Sequence, residues 1–348
     1  MPGQPDRQSE SAEAPTPEST DAPFPRRQLL VAAGVLFGGA AAGRLAWDYA
    51  ERFQRASTAI VKATTYGAGL RRTIHDGLTE LGFGRERVQG KSVLLKPNLV
   101  EPTSTAPHAN THPELIHAVA EVFRGWDAKE VLVAEGQGHI RDTHFVLEQS
   151  GLEPVLRDAK LPFVDLNTDD LFEVPNRTGF SRLGSLHLPQ TLRRADLIVS
   201  LPKMKTHHWT GVTLSMKNLF GVMPGIHYGW PKNALHHAGL QQSIVDIAAA
   251  VRPQLAIVDG IIGMEGDGPI MGTPRPAGLV VMGTNLPAVD ATAARVMGFD
   301  PTRLGYLQMA SGLLGPIRAW HIEQRGERIA DVAQFFALPD HPHFRQFR

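Results

Sequence analysis

Two kinds of apolar run alternate along most of this chain. Short runs rich in Val, Ile and Leu predict strands at 92–99, 130–136, 163–167, 195–202, 255–261 and 278–284. Between them, apolar residues spaced three and four apart predict helices at 113–126, 142–152, 240–251 and 287–298. The strands are nearly continuously apolar rather than alternating, as they are when both faces of a sheet are covered. An α/β fold follows, with a mostly parallel sheet and helices on both faces.

The first fifty residues break the pattern. Residues 1–25 are rich in Pro, Ser, Glu and Asp and almost free of large apolar side chains. They cannot bury enough surface to offset chain entropy, and a disordered tail is expected. Next come Arg26 and Arg27, then an uncharged run at 28–43 made mostly of Ala, Gly, Leu and Val. This resembles a twin-arginine export signal. Its apolar core at 29–42 is shorter than the roughly 20 residues that span a bilayer comfortably. Ala40 and Ala42 offer a cleavage site, and an uncleaved anchor is the alternative. The expected organisation is a tail at 1–25, a signal or anchor with linker at 26–56, and one α/β domain at 57–348. The location expected is the periplasm or the outer face of the inner membrane, with membrane contact only through the N-terminal segment and the twin-arginine machinery as a partner.

Composition narrows the chemistry. Thirty-five Lys and Arg balance 35 Asp and Glu, so no overall field draws nucleic acid to the chain. Cysteine is absent, which removes disulfides, cysteine-ligated iron–sulfur clusters, thiolate zinc sites and cysteine nucleophiles from this chain.

In open α/β sheets ligands gather outside the carboxyl ends of the strands, so the residues following each strand carry the functional reading. These are Lys96 and Asn98; Glu135, Gly136, Gly138, His139, Arg141 and Asp142; Lys203, Lys205, His207 and His208; Asp259, Glu265 and Asp267; and Asn285 and Asp290. Lys96, Arg141, Lys203, Lys205 and Lys217, with Asn98 and Asn218, form a candidate anion site, because ammonium and guanidinium groups hold carboxylates and phosphates. Lys203 and Lys205 alternate along an extended segment and share a face, whereas at most one of the adjacent His207 and His208 is expected to face the crevice.

Glu265, Asp259 and His207 are the candidate acid–base residues, where burial and opposed charges would tune their proton affinity. Glu135, His139, Asp267 and Asp290 could instead ligate a divalent metal, though no pair has a metal-specific spacing. His108, His112 and the remaining histidines have capping and loop hydrogen bonding as the competing role. The glycines of GMEGDGPIMGTPRP, Gly266 and Gly268 among them, could let backbone amides cradle a ligand. GQG at 136–138 suits an anion at a helix start. The stretch 223–239, with His227, Tyr228, Trp230, His236 and His237, predicts a long loop that could act as a lid.

Taken together, KPNLV, THPELI, SLPKMKTHH, SMKNLFGVMPG, VDGIIGMEGDGP and PAVDATAARVMG resemble, in the same order, the domain of unknown function 362 (DUF362) family. The resemblance spans about 92–315. It implies Lys96, Asn98, Lys203, Lys205, His207, Lys217, Asn218, Asp259, Glu265, Gly266, Gly268 and Asp290 as motif positions with no roles attached. Many relatives add a ferredoxin-type domain, which a chain without cysteine cannot provide. The expected function is an exported enzyme acting on a small carboxylate or phosphate, by redox, proton abstraction or metal assistance. The alternative is a periplasmic carrier that binds a metal or anion without turnover.

Overall fold

The structure is a computed structural model, and it describes residues 54–348 apart from 101, 103–105, 107, 139–141, 340–341 and 348. The tail, the twin-arginine segment, His139 and Arg141 lie outside the described residues.

Strand β1 (Ala56–Lys62) and helix α1 (Leu70–Glu80) open the domain, ahead of the first strand predicted from sequence. Then follow β2 (Ser92–Pro97), α2 (Pro113–Gly125), β3 (Glu130–Glu135), α3 (Thr143–Gln149), α4 (Leu152–Asp158) and β4 (Phe163–Asp165). A hairpin, β5 (Leu171–Pro175) and β6 (Ser185–Pro189), and α5 (Gln190–Arg194) lead to β7 (Leu197–Leu201). Beyond it run β8 (Lys203–His207), β9 (Gly211–Thr213), α6 (Ser215–Asn218), α7 (Gly225–Tyr228) and α8 (Asn233–Val251). The last part holds β10 (Leu255–Glu265), β11 (Thr273–Arg275), β12 (Leu279–Gly283), α9 (Leu286–Val296), α10 (Gly305–Ala310), β13 (Ile322–Gly326) and α11 (Ile329–Val332).

The main sheet runs β13-β1-β12-β10-β7-β2-β3-β4. Pairs from β10 through β4 are parallel, and β12 runs against both its neighbours, β10 and β1. The α/β reading therefore holds. Alternate residues of each strand feed opposite cores, as the two-residue period requires. Val93, Leu95, Val199 and Ile257 pack under α1 to α4, while Leu94, Ile198, Ala256 and Val258 pack under α8 to α10.

Local chemistry fixes several boundaries. The side chain of His112 accepts the amide of Glu114 ahead of α2, and Asn285 accepts that of Ala288 at the start of α9. The predicted helix at 142–152 is divided, since Gly151 has φ 72° and separates α3 from α4. The predicted long loop at 223–239 is mostly helical. Tyr228 ends α7 with its hydroxyl accepting from the His187 amide, and α8 begins at Asn233, seven residues earlier than expected, with a kink at Gly239.

Two consequences position the site. β2 is flanked by β3 on one side and β7 on the other, so strand order reverses between β2 and β7, and a crevice opens at their carboxyl ends. Past that edge the chain continues as β8, paired with β10 and β9, and forms a second wall.

Candidate functional site

At this switch point lies a cavity of about 470 Å³. Asn98 reaches it from beyond β2, Glu135 from β3, Lys205 and His207 from β8, Lys217 and Asn218 from α6, and Lys232 from just ahead of α8.

Two of the predicted cations are neutralised. Lys96 Nζ is fully buried and donates to Glu135 Oε2 at 2.7 Å and to the Pro97 carbonyl at 2.6 Å. Glu135 also accepts the amides of Leu99 and Gly136, so its oxygens are held from several sides. Asn218 ties this pair to the sheet, donating to the Lys96 carbonyl and to Ser200 Oγ. Lys203 faces away from the cavity. Its ammonium donates to Asp259 Oδ2 at 2.7 Å, to the Tyr66 hydroxyl and to the Ile262 carbonyl. Tyr66 in turn donates to Asp259 and stacks on His112 at 3.7 Å between ring centroids. Burial and the Asp259 charge push the Tyr66 phenol well above its ordinary range. This closed network leaves Lys203 and Asp259 no open face toward the crevice, although they were candidates for anion binding and acid–base work.

The remaining cations differ. Lys205 Nζ, fully buried, donates to the Ala109 carbonyl at 2.8 Å. Lys232 Nζ donates to the carbonyls of Gly136 and Phe220, and burial brings its ammonium down to about 7. Lys217 Nζ has no hydrogen-bond or ion-pair partner among the described residues and lies 4.0 Å from the centroid of the Phe220 ring. Burial lowers it to about 8. A partly desolvated ammonium without a counter-ion gains more from an incoming anion than one already paired.

His207 is buried, and its Nδ1 accepts the Trp209 amide at 3.0 Å, which places the neutral ring's proton on Nε2. Burial, with the charges of Lys217, His208, Lys205 and His236, holds it well below the usual imidazole range. His208 lines the cavity as well, against the expectation that only one of the pair would. β8 ends at His207, so strand alternation stops there, and the turn aims the His208 ring at the Gly268 carbonyl. Two buried oxygens in the lining, Asn98 Oδ1 and Thr213 Oγ1, have no hydrogen-bond partner among the described residues. Such orphans in a cavity are the imprint expected of a ligand's polar groups.

Other predicted residues serve the frame. Asp290 accepts the amides of Ser215 and Met216 and the hydroxyls of Ser215 and Tyr306, which anchors the start of α6 and with it Lys217 and Asn218. Glu265 is outside the cavity, bonded to the Ala337 amide and 3.8 Å from Arg275. The amides of Gly266 and Gly268 go to the carbonyls of Ala337 and Gly266, so they do not cradle a ligand. Gly266 instead supplies a left-handed backbone, φ +82°, and Gly268 allows close packing, since a side chain there would strike the Thr206 backbone. Close approach to β8 brings Asp267 and Pro269 to Met271 to the cavity mouth. Gly136 likewise donates to Glu135 and Gly221 rather than offering a free amide, and α3 begins only at Thr143. Among the described residues no three His, Asp or Glu side chains cluster to hold a metal ion. Glu135 and Asp290 are instead engaged in the separate networks above.

Lys232 and Thr213 were missed from sequence. Lys232 stands among turn formers with φ 67°, and Thr213 in a three-residue strand, and neither pattern signals a site.

The sequence profile of the domain of unknown function DUF362 matches residues 93–295. The chain belongs to the DUF362 family. A thylakoid-associated protein of Synechocystis sp. is 30% identical over 253 residues, covering 71% of this chain and 76% of the relative. The matched segment runs from β2 into α9 and so contains every residue of the cavity's lysine set. Among the described residues no helix is long and apolar enough to cross a membrane.

Proposed function

We propose that this DUF362 protein binds a small organic carboxylate or phosphate in the switch-point cavity and acts on it as an enzyme. The observation that carries this reading is Lys217, a cavity-lining ammonium with no counter-ion among the described residues, in the same lining as Lys205 and Lys232. Three ammonium groups lining one cavity supply the field an anion needs. His207 supplies the proton-handling group: Nε2–H is the ring atom left for the ligand, and a bound anion would raise the imidazole's depressed proton affinity. Glu265 and Asp259 are engaged elsewhere, so acid–base work falls to His207.

Titration calorimetry with a panel of carboxylates and phosphates tests the reading. Saturable binding that Lys217→Ala abolishes supports it. Binding that survives Lys217→Ala unchanged overturns it. Recovery of every bound ligand unaltered would make the protein a carrier rather than an enzyme.

The twin-arginine pair supports an exported protein, and the relative's thylakoid association fits a place at or near a membrane. Fractionation of cells expressing the full chain, with and without Arg26→Lys/Arg27→Lys, tests the export route. Cytoplasmic retention of the double variant is the expected result.

A further inference from the structure

The cavity's cations lie deep, and its rim carries two large apolar side chains beside Asp267. Lys205 and Lys232 are 0% and 2% exposed, whereas Trp209 and Met271 at the mouth are 53% and 78% exposed. Both side chains line the cavity and leave apolar surface that a ligand entering it would cover. Along one wall the rings make a continuous series of edge contacts. Trp209 meets His208 at 4.6 Å and 89° and His236 at 5.5 Å and 71°, and His236 meets Phe220 at 5.9 Å and 77°. Such edge-to-face packing fixes ring orientation and makes a firm apolar wall.

Size adds a separate constraint. A volume of about 470 Å³ falls among clefts of roughly 300–1,000 Å³ that enclose drug-sized ligands. A bare phosphate or acetate would fill a small part of it and leave the wall against water. Thr213 Oγ1, buried without a partner, is a donor that an anion's oxygen would satisfy at the charged end.

Resting on the anion reading above, we propose that the ligand is an aromatic carboxylate or phosphate, with its charged group held by Lys205, Lys217 and Lys232 and its ring against the wall of Trp209, His208, His236 and Phe220. The charged end supplies orientation and the ring supplies buried area. Each alone would bind more weakly than the two together.

Calorimetry on the purified protein with four probes tests this: inorganic phosphate, 1-naphthyl phosphate, octyl phosphate and the uncharged 2-naphthylmethanol. The expected result is 1-naphthyl phosphate binding at least about tenfold more tightly than the other three. In Trp209→Ala/Met271→Ser, a surface pair whose replacement leaves the core intact, the advantage over inorganic phosphate is expected to shrink below about threefold. Inorganic phosphate binding as tightly as 1-naphthyl phosphate would overturn the aromatic assignment and leave the anion reading standing. Octyl phosphate binding equally well would overturn the requirement for a ring. Equal binding of 2-naphthylmethanol would overturn the anion reading while keeping the apolar wall. Failure of all four probes to bind would overturn both.

Discussion

The ammonium of Lys96 lies 2.7 Å from Glu135 Oε2, with both side chains excluded from solvent. This pair closes the back of the cavity, and Gly221 passes so near it that a Cβ there would fall on Glu135 Oε1 and Lys96 Nζ. Breaking one half leaves an uncompensated buried charge. Lys96→Met is expected to cost about 3–5 kcal/mol of stability, and Lys96→Met/Glu135→Leu to recover most of it. Urea unfolding of the three proteins measures this, and a double variant no more stable than the single would contradict it.

Gly221→Ala keeps every charge and adds one methyl. Crowding of this kind typically costs about 1–3 kcal/mol, here by pushing apart the Lys96–Glu135 pair. A thermal melt unchanged from the parent would show that the pair tolerates displacement.

Lys217 carries a pH dependence with two opposite faces. Its ammonium falls from an ordinary 10.5 to about 8 in the folded protein. Between those values the unfolded chain holds a proton that the folded chain has released, so this group's contribution to stability rises with pH from about 8 to 10.5. Anion capture needs the ammonium groups of Lys217 and Lys232, so affinity is expected to fall as pH rises through about 7 to 8. Calorimetry across pH 7 to 10 checks the second, and in Lys217→Met that pH dependence should vanish with the binding itself.

Lys217→Met should also leave the unliganded protein more stable at neutral pH, because a half-buried charge with no counter-ion among the described residues is removed. A gain on the order of 1 kcal/mol would raise the melting temperature by about 1–2 °C. Lost binding with gained stability separates a ligand-holding residue from a structural one.

Asp290 supports the site from behind. Burial raises its carboxyl to about 6, against the hydrogen bonds of Ser215, Met216 and Tyr306 that favour its charge. The folded state then keeps a proton that the unfolded state has lost between about 3.8 and 6, so stability from this group falls as pH rises through that window. Asp290→Asn should remove that slope and loosen α6. Urea midpoints at pH 4 and 7 check the slope, and weakened anion binding with intact secondary structure checks the loosening.

Much of the fold was legible because period and burial act locally. The continuous apolar runs ending in Lys96, Glu135 and Leu201 gave the parallel strands, and the switch-point rule then pointed to the ends where the cavity lies. Strand β1 was not legible. It lies ahead of the alternating pattern, and only its pairing with β12 and β13 makes it a strand. The loop assigned to 223–239 failed because Gly239 bends α8 without ending it.

The sequence by itself determined the class of fold, the absence of cysteine chemistry and the gathering of cations at the strand ends. Only the tertiary structure decided which cations are free to act. Charge pairing is a property of distance: Lys96 and Lys203 meet Glu135 and Asp259, 39 and 56 residues away along the chain. Among the described residues Lys217 meets only a ring, and nothing in the local pattern of any of the three marks the difference.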